Sequence, residues 1–201
     1  GYEGPIYSDG NSYNLPTQNL VDEFESNDPR LPASILDIEA FKAAQLPVVV
    51  KYTIGAGGHT GYYNNKYIKR LDELGPPDND LTSPVNHKVI RYADVLLMAA
   101  EAHNRKSAPN DVLARQYLKM VRDRVGMPEV TASGSALTDA IYHERRVEFA
   151  GEGLRFFDLV RTGKAAAAIE GFTVNKNEVF PIPQAEIDLA GAGWLQNKGY
   201  N

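Results

Sequence analysis

The stretch from Tyr142 to Lys164, YHERRVEFAGEGLRFFDLVRTGK, decides how the rest of the chain is read. Its periodicity is helical, yet charges occupy the stripe that a core-facing helix fills with apolar residues. Leu137, Ile141, Glu144, Arg145 and Glu148 follow the three-and-four spacing of one helix face. After the two glycines, Leu154, Arg155, Phe157, Asp158 and Arg161 continue the mixture. Charged side chains are seldom fully buried unless paired. The pattern predicts a structural network of Glu144, Arg145, Glu148, Arg155, Asp158 and Arg161 that fixes how two helices dock. The competing readings are a solvated charged face and, weakest of the three, a catalytic cluster.

Working outward, Val89 to Arg105 is apolar nearly all round and predicts a helix buried between neighbours. Pro109 to Val125 predicts the next helix, with Asn110 or Asp111 as its N-cap and Gly126 as its stop. Leu113, Tyr117, Met120 and Val121 would form its buried stripe. A third helix is expected from about Ser135 to Gly151 and a fourth from Leu154 to Arg161. Two successive helical hairpins, 88–126 and 135–170, suggest a tetratricopeptide-like arrangement. Residues 1–87 read as loop-rich. A short helix is expected after Thr17, ended by Asp28-Pro29, followed by a strand or extended segment over Leu46–Ile54 and a glycine-rich turn over 55–66. Residues 171–201 read as an extended tail with one helical turn from Gln184 to Leu189. The expected fold class is mostly α: tetratricopeptide-like helical hairpins with long loops and little β structure.

Composition narrows the chemistry. At 201 residues with 43% hydrophobic residues, the chain can bury a core without disulfides or metal. The net charge of −5 argues against nucleic acid, whose phosphates want a basic surface. With no cysteine there is no disulfide, thiol nucleophile or thiolate metal site. No apolar run approaches a membrane span. The chain begins Gly-Tyr-Glu rather than with methionine, which suits a processed product or a fragment. Gly55-Ala56-Gly57-Gly58-His59-Thr60-Gly61 places Thr60 where a dinucleotide loop needs its third glycine, so a surface loop is the better reading. His143-Glu144 lacks the second histidine of a zincin, because Val147 stands there. Asp78, Asn79 and Asp80 lack the downstream glutamate of a calcium loop. No cofactor or metal is expected. A hydrolase would need two carboxylates facing a cleft, and nothing singles out a pair.

The tyrosines are more suggestive. There are eleven, and Tyr2, Tyr7, Tyr13, Tyr62 and Tyr63 fall in expected loops. Loop aromatics beside Asn and Asp suit a sugar, whose C–H face packs on a ring while its hydroxyls need amide or carboxylate partners. The candidate ligand-binding residues are Tyr62, Tyr63, Tyr7, Tyr13 and Asn64. The alternative is that these rings pack loops onto the helices.

Several short motifs resemble, in order, the SusD/RagB family of outer-membrane nutrient-binding lipoproteins. They are Pro16–Val21 with Asp28-Pro29-Arg30, Lys66–Lys69, Val89–Met98 with Ala100-Glu101-Ala102, and Val121-Arg122 with Arg124. They continue through Glu144-Arg145-Arg146, Glu148, Glu152-Gly153, Arg155, Asp158-Leu159 and Arg161. Pro181-Ile182-Pro183, Glu186-Ile187, Gln196-Asn197 and Gly199-Tyr200 complete the series. The resemblance implies a non-enzymatic protein that captures glycans or other nutrients on the extracellular face of the outer membrane. It implies an N-terminal lipid anchor, absent from this chain, and delivery to a TonB-dependent outer-membrane transporter. Members are considerably longer, so the chain resembles their C-terminal part. The charged motif carries over as structural rather than sugar-binding. A helical-repeat scaffold for protein–protein interaction is the alternative.

Overall fold

The computed structural model describes residues 2–8, 10, 13–52, 59–78 and 82–200. The chain divides into two compact units, 1–152 and 153–201. The fold is mostly α, as expected.

In the first unit the elements follow in the order β1 (Tyr2–Glu3), α1 (Gln18–Val21), α2 (Arg30–Ser34), β2 (Ile35–Asp37), α3 (Ile38–Ala44), β3 (Lys51–Tyr52) and β4 (Tyr62–Asn64). A 3-10 turn (Leu71–Glu73) then leads to α4 (Tyr92–Arg105), α5 (Asp111–Asp123) and α6 (Gly134–Glu148). The core is made by the last three. α4 folds back on α5 and α6 lies against both. Leu97 and Ala100 from α4, Leu118 and Val121 from α5, and Leu137, Ile141 and Val147 from α6 are buried. Burying such an aliphatic side chain stabilises by roughly 1.5–3 kcal/mol, so this contact set dominates the unit.

Polar groups fix the helix ends. Asn110 caps α5 by accepting from Leu113 N–H at 3.0 Å, and Gly126, at φ +71°, terminates it. Asn104, buried near the end of α4, donates to Asp111 Oδ1 at 2.9 Å and to Gly134 C=O at 3.1 Å. It also accepts from the Thr138 hydroxyl at 2.5 Å. One amide therefore joins all three helices.

Three local expectations are corrected. α4 starts at Tyr92, and Val89 is 75% exposed. Tyr92, Val95 and Met98 also face outward, so the helix is buried on one side rather than all round. The buried stripe of α5 is Ala114, Leu118, Val121 and Arg122, with Met120 exposed. The helix is turned because the Arg122 guanidinium reaches inward to Glu144 at 2.7 Å. The strand at 46–54 shrinks to β3. Leu46, Val48 and Val49 are exposed, while Ile54, the glycines at 55–58, and Asn79 and Asp80 lie outside the described residues.

The strands form two short antiparallel pairs. β1 pairs with β3, setting Tyr2 opposite Tyr52. β2 pairs with β4, setting Leu36 opposite Tyr63 and Asp37 opposite Tyr62. Asp37 ends β2 and caps α3, accepting from Glu39 and Ala40 N–H at 3.0 Å each. The helix after Thr17 is a single turn, and a separate helix, α2, follows Pro29.

The second unit comprises α7 (Arg155–Arg161), α8 (Ala165–Ala168), α9 (Gln184–Ala190) and a 3-10 turn (Gly191–Gly193). Leu159 and Ala165 are its buried apolar residues. Prolines at 181 and 183 lack N–H donors, and the Gln196 amide clasps the residue between them. It accepts from Ile182 N–H and donates to Ile182 C=O, both at 2.8 Å. Asn197 donates to Phe180 C=O at 2.7 Å, and Tyr200 to Val179 C=O at 2.9 Å. The tail is thus a tied strap.

Candidate functional site

Two constellations stand out in the first unit. The first is a charge network. Glu144, 0% exposed, accepts from Arg30 Nη1 at 2.5 Å and from Arg122 Nη1 at 2.7 Å. Glu148, 3% exposed, accepts from Arg30 at 3.1 Å, Arg91 at 2.9 Å and Arg124 at 2.7 Å. Glu152 takes Arg91 at 2.8 Å and Lys66 at 2.6 Å. Arg30 also clamps Asp28 through Nη2 at 2.7 Å and Nε at 2.9 Å. Arg145 pairs with Asp94 at 2.7 Å, and both Arg91 and Arg145 lie over the Phe149 ring. Arg146 bonds Glu23 and Asn19 on the outer side.

Pairing offsets the cost of burial at Arg30 and Glu152. Burial works against the Arg30 charge, but Asp28, Glu144 and Glu148 outweigh it and raise its pKa further. Burial likewise pushes Glu152 up, and the hydrogen bonds from Arg91 and Lys66 bring it below the ordinary carboxylate value. For Lys66, burial prevails and its pKa is lowered. The network saturates its carboxylates. That suits a clamp joining α2, α4, α5 and α6, and leaves no carboxylate idle for catalysis among those named.

The expected network residues separate by unit. Glu144, Arg145 and Glu148 are buried and paired. In the second unit Arg155 and Arg161 are exposed, and Asp158 pairs with Arg161 at 2.7 Å along α7. The periodicity of 142–164 did not disclose Arg30, Arg91, Arg122 or Lys66 as partners. Their signal lay in isolated motifs such as Asp28-Pro29-Arg30, where Arg30 pairs with Asp28 and still has Nη1 to offer Glu144 and Glu148.

The second constellation is aromatic. Tyr7 packs on Phe41 at 5.2 Å between ring centroids, and Tyr2 contacts both at 6.2 and 6.4 Å. Across the β1–β3 pair, Tyr52 packs on His59 at 5.0 Å, and His59 meets Tyr63 edge-on at 5.6 Å. Lys42 from α3 lies over the Tyr52 ring. All six rings are half-buried, so each shows part of its surface. A patch of this kind can take the C–H face of a sugar, with His59, Lys42 and the phenol hydroxyls as polar partners.

The candidate residues do not share one role. Tyr63 and Tyr7 sit in this patch. Tyr62 packs against the cluster of Phe24, Ile35, Val147 and Ala150, and its hydroxyl donates to Gln18 at 2.8 Å. Asn64 donates to Gly151 C=O at 2.8 Å and accepts from Lys66 N–H, which fixes the strand end. Tyr13 is 92% exposed. Sequence reasoning grouped Tyr2 with Tyr7 and Tyr63 but missed Tyr52, Phe41 and His59 as companions, because tertiary packing brings them together.

Comparison with known proteins accounts for the order of these motifs. A sequence model of the SusD family matches residues 3–178. SusD-like protein P38 of Formosa agariphila is 30% identical over 189 residues, which cover 79% of this chain and 36% of that protein. SusD-like protein P2 of the same organism is 26% identical, covering 96% of this chain and 41% of its own length. Among solved structures, surface glycan-binding protein A from Bacteroides fluxus superposes with a TM-score of 0.76 at 29% identity, over 97% of this chain and 42% of that one. The Bacteroides thetaiotaomicron surface glycan-binding protein A in complex with laminarihexaose gives 0.73 at 28% identity, over 97% and 45%. The chain thus spans less than half the length of these relatives. With the family model matching most of its residues, the chain belongs to the SusD family.

Proposed function

We propose that this chain is part of a protein that captures glycans without transforming them, at the outer surface of a bacterial outer membrane. In this reading the parent protein is held there by an N-terminal lipid and passes its ligand to a TonB-dependent transporter. The observation that carries the reading is two groups of half-buried rings, Tyr2, Tyr7 and Phe41 in one and Tyr52, His59 and Tyr63 in the other, with Tyr2 and Tyr52 facing each other across the β1–β3 pair. Support comes from the similar Bacteroides thetaiotaomicron protein, which is solved with laminarihexaose bound. Tyr63 and Tyr7 would contact the sugar, with Tyr13 at the rim. Tyr62 and Asn64 would position the strand that presents Tyr63.

The test is calorimetric titration of the chain with laminarihexaose, repeated on Tyr63→Ala, Tyr7→Ala and Tyr13→Ala. Loss of one stacking ring should weaken binding about tenfold with little change in melting temperature. Unchanged affinity in both Tyr63→Ala and Tyr7→Ala would remove the patch from consideration. No new reducing ends should form during long incubation with the oligosaccharide. A second reading, a scaffold for protein–protein interaction, is favoured by one observation only: the exposed Tyr92, Val95 and Met98 on α4.

A further inference from the structure

Beside the charge network lies a cavity of about 310 Å³, walled by Ser34, Tyr67, Lys88, Arg91, Arg124 and Glu148 among others. Its size is at the small end of ligand pockets, which run from ~300 to 1,000 Å³, and suits one sugar ring rather than an oligosaccharide. The walls are not chemically equivalent. Arg91 commits Nε and both terminal nitrogens to Glu148 and Glu152, and Lys66 is held by Glu152 and the Glu148 carbonyl. Two cations keep spare capacity. Lys88 makes no ion pair among the described residues, and Arg124 engages Glu148 through Nη2 alone. Ser34 is 3% exposed and its hydroxyl has no hydrogen-bond partner among the described residues. The Tyr67 ring supplies an apolar wall, held by its contact with His87 at 5.9 Å.

We propose that this cavity is an anion subsite for a carboxylate carried on a sugar ring, that is, a uronic acid residue of a glycan. Lys88 and Arg124 hold the carboxylate by charge-assisted hydrogen bonds, Ser34 meets a ring hydroxyl, and Tyr67 faces the C–H surface. The carboxylates Glu148 and Glu152 do not repel the anion strongly, because Arg30, Arg91 and Lys66 already neutralise them. The inference rests on the glycan-capture reading for the sugar that bears the carboxylate. Its anion chemistry stands apart from the aromatic patch.

The experiment is an NMR titration of the isotope-labelled chain with galacturonic acid, galactose, acetate and laminarihexaose in parallel. Galacturonic acid should shift amides around Ser34, Tyr67 and Lys88 and bind about tenfold more tightly than galactose or acetate. Lys88→Met and Arg124→Met, both at exposed positions, should each weaken it about tenfold while leaving laminarihexaose unaffected. Equal binding of galactose and galacturonic acid, or an undiminished affinity in Lys88→Met, would overturn the proposal. Acetate matching galacturonic acid would overturn the sugar part. Retained laminarihexaose binding without galacturonic acid binding would fell this subsite alone, and the reverse pattern would fell the aromatic patch alone.

Discussion

Replacing Arg30 by methionine tests the charge network at its most connected member. Arg30 is 6% exposed and serves three carboxylates at once. Without it, Glu144 keeps Arg122 at 2.7 Å, and Glu148 keeps Arg91 and Arg124. Asp28 fares worst, because among the described residues its remaining donor is the backbone N–H of residue 30 at 2.9 Å. Removing one partner of a buried pair costs roughly 3–5 kcal/mol, since the other charge is left uncompensated. For a unit of this size that corresponds to a melting-temperature fall of about 6–20 °C. The sign of the pH dependence gives a second check. Burial pushes Asp28 up, but the Arg30 hydrogen bonds prevail and hold it below its ordinary value of 3.8. Its contribution is therefore present above that value and lost as pH falls through the lower folded pKa. In Arg30→Met the guanidinium is gone while the backbone N–H of residue 30 and the Arg122 charge remain, so the Asp28 pKa rises and the variant loses less on acidification. The gap between the two proteins, measured by urea unfolding, should shrink as pH falls below ~4. Asp28→Asn added to Arg30→Met should recover part of the loss. A penalty under about 1 kcal/mol at pH 7 would refute the reasoning, because that is the range of solvated pairs.

Glu25, held low mainly by its hydrogen bond from Arg122, and Glu152 both sit below 4.5, so urea midpoints should fall as pH drops from about 5 toward 3. A flat profile over that range would contradict both pairings. Gly151 adopts φ +76°, and a Cβ there would stand 2.6 Å from the Asn64 side chain. Gly151→Ala should cost about 1–3 kcal/mol through strain and displacement of that amide, read by thermal unfolding. Asn104→Ala leaves Asp111, Gly134 and Thr138 without their common partner and should cost about 1–3 kcal/mol. Loss near zero would mean water replaces the amide.

The sequence disclosed what is local. α5 and α6 start and stop near the residues that capping and glycine signals mark, Asn110, Gly126 and Gly151. The charged stripe of α6 was legible because Glu144 and Glu148 recur at helical spacing among apolar residues. Its partners were not, because Arg30 is 114 positions from Glu144 and periodicity carries no information at that distance. The face of α5 was misjudged for a related reason. Apolar counting favoured Met120, whereas the ion pair of Arg122 decides which side turns inward. Tyr7 and Tyr63 could be picked as loop aromatics, but their neighbours Phe41, on α3, and His59, in a loop, are set by tertiary packing that no propensity argument locates.

The clasp of Arg30 on Glu144 and Glu148 also has a history in time. During synthesis the Arg30 guanidinium emerges more than a hundred residues before Glu144 and Glu148 exist, since the separations are 114 and 118 positions. While α4 and α5 are still being made, Asp28, two residues away, is the partner at hand. Closing so long a loop is slow compared with forming neighbouring helices. The network therefore seals a helical unit that has already assembled, rather than guiding its assembly. A substitution there would shorten the lifetime of the finished protein more than it delays its making.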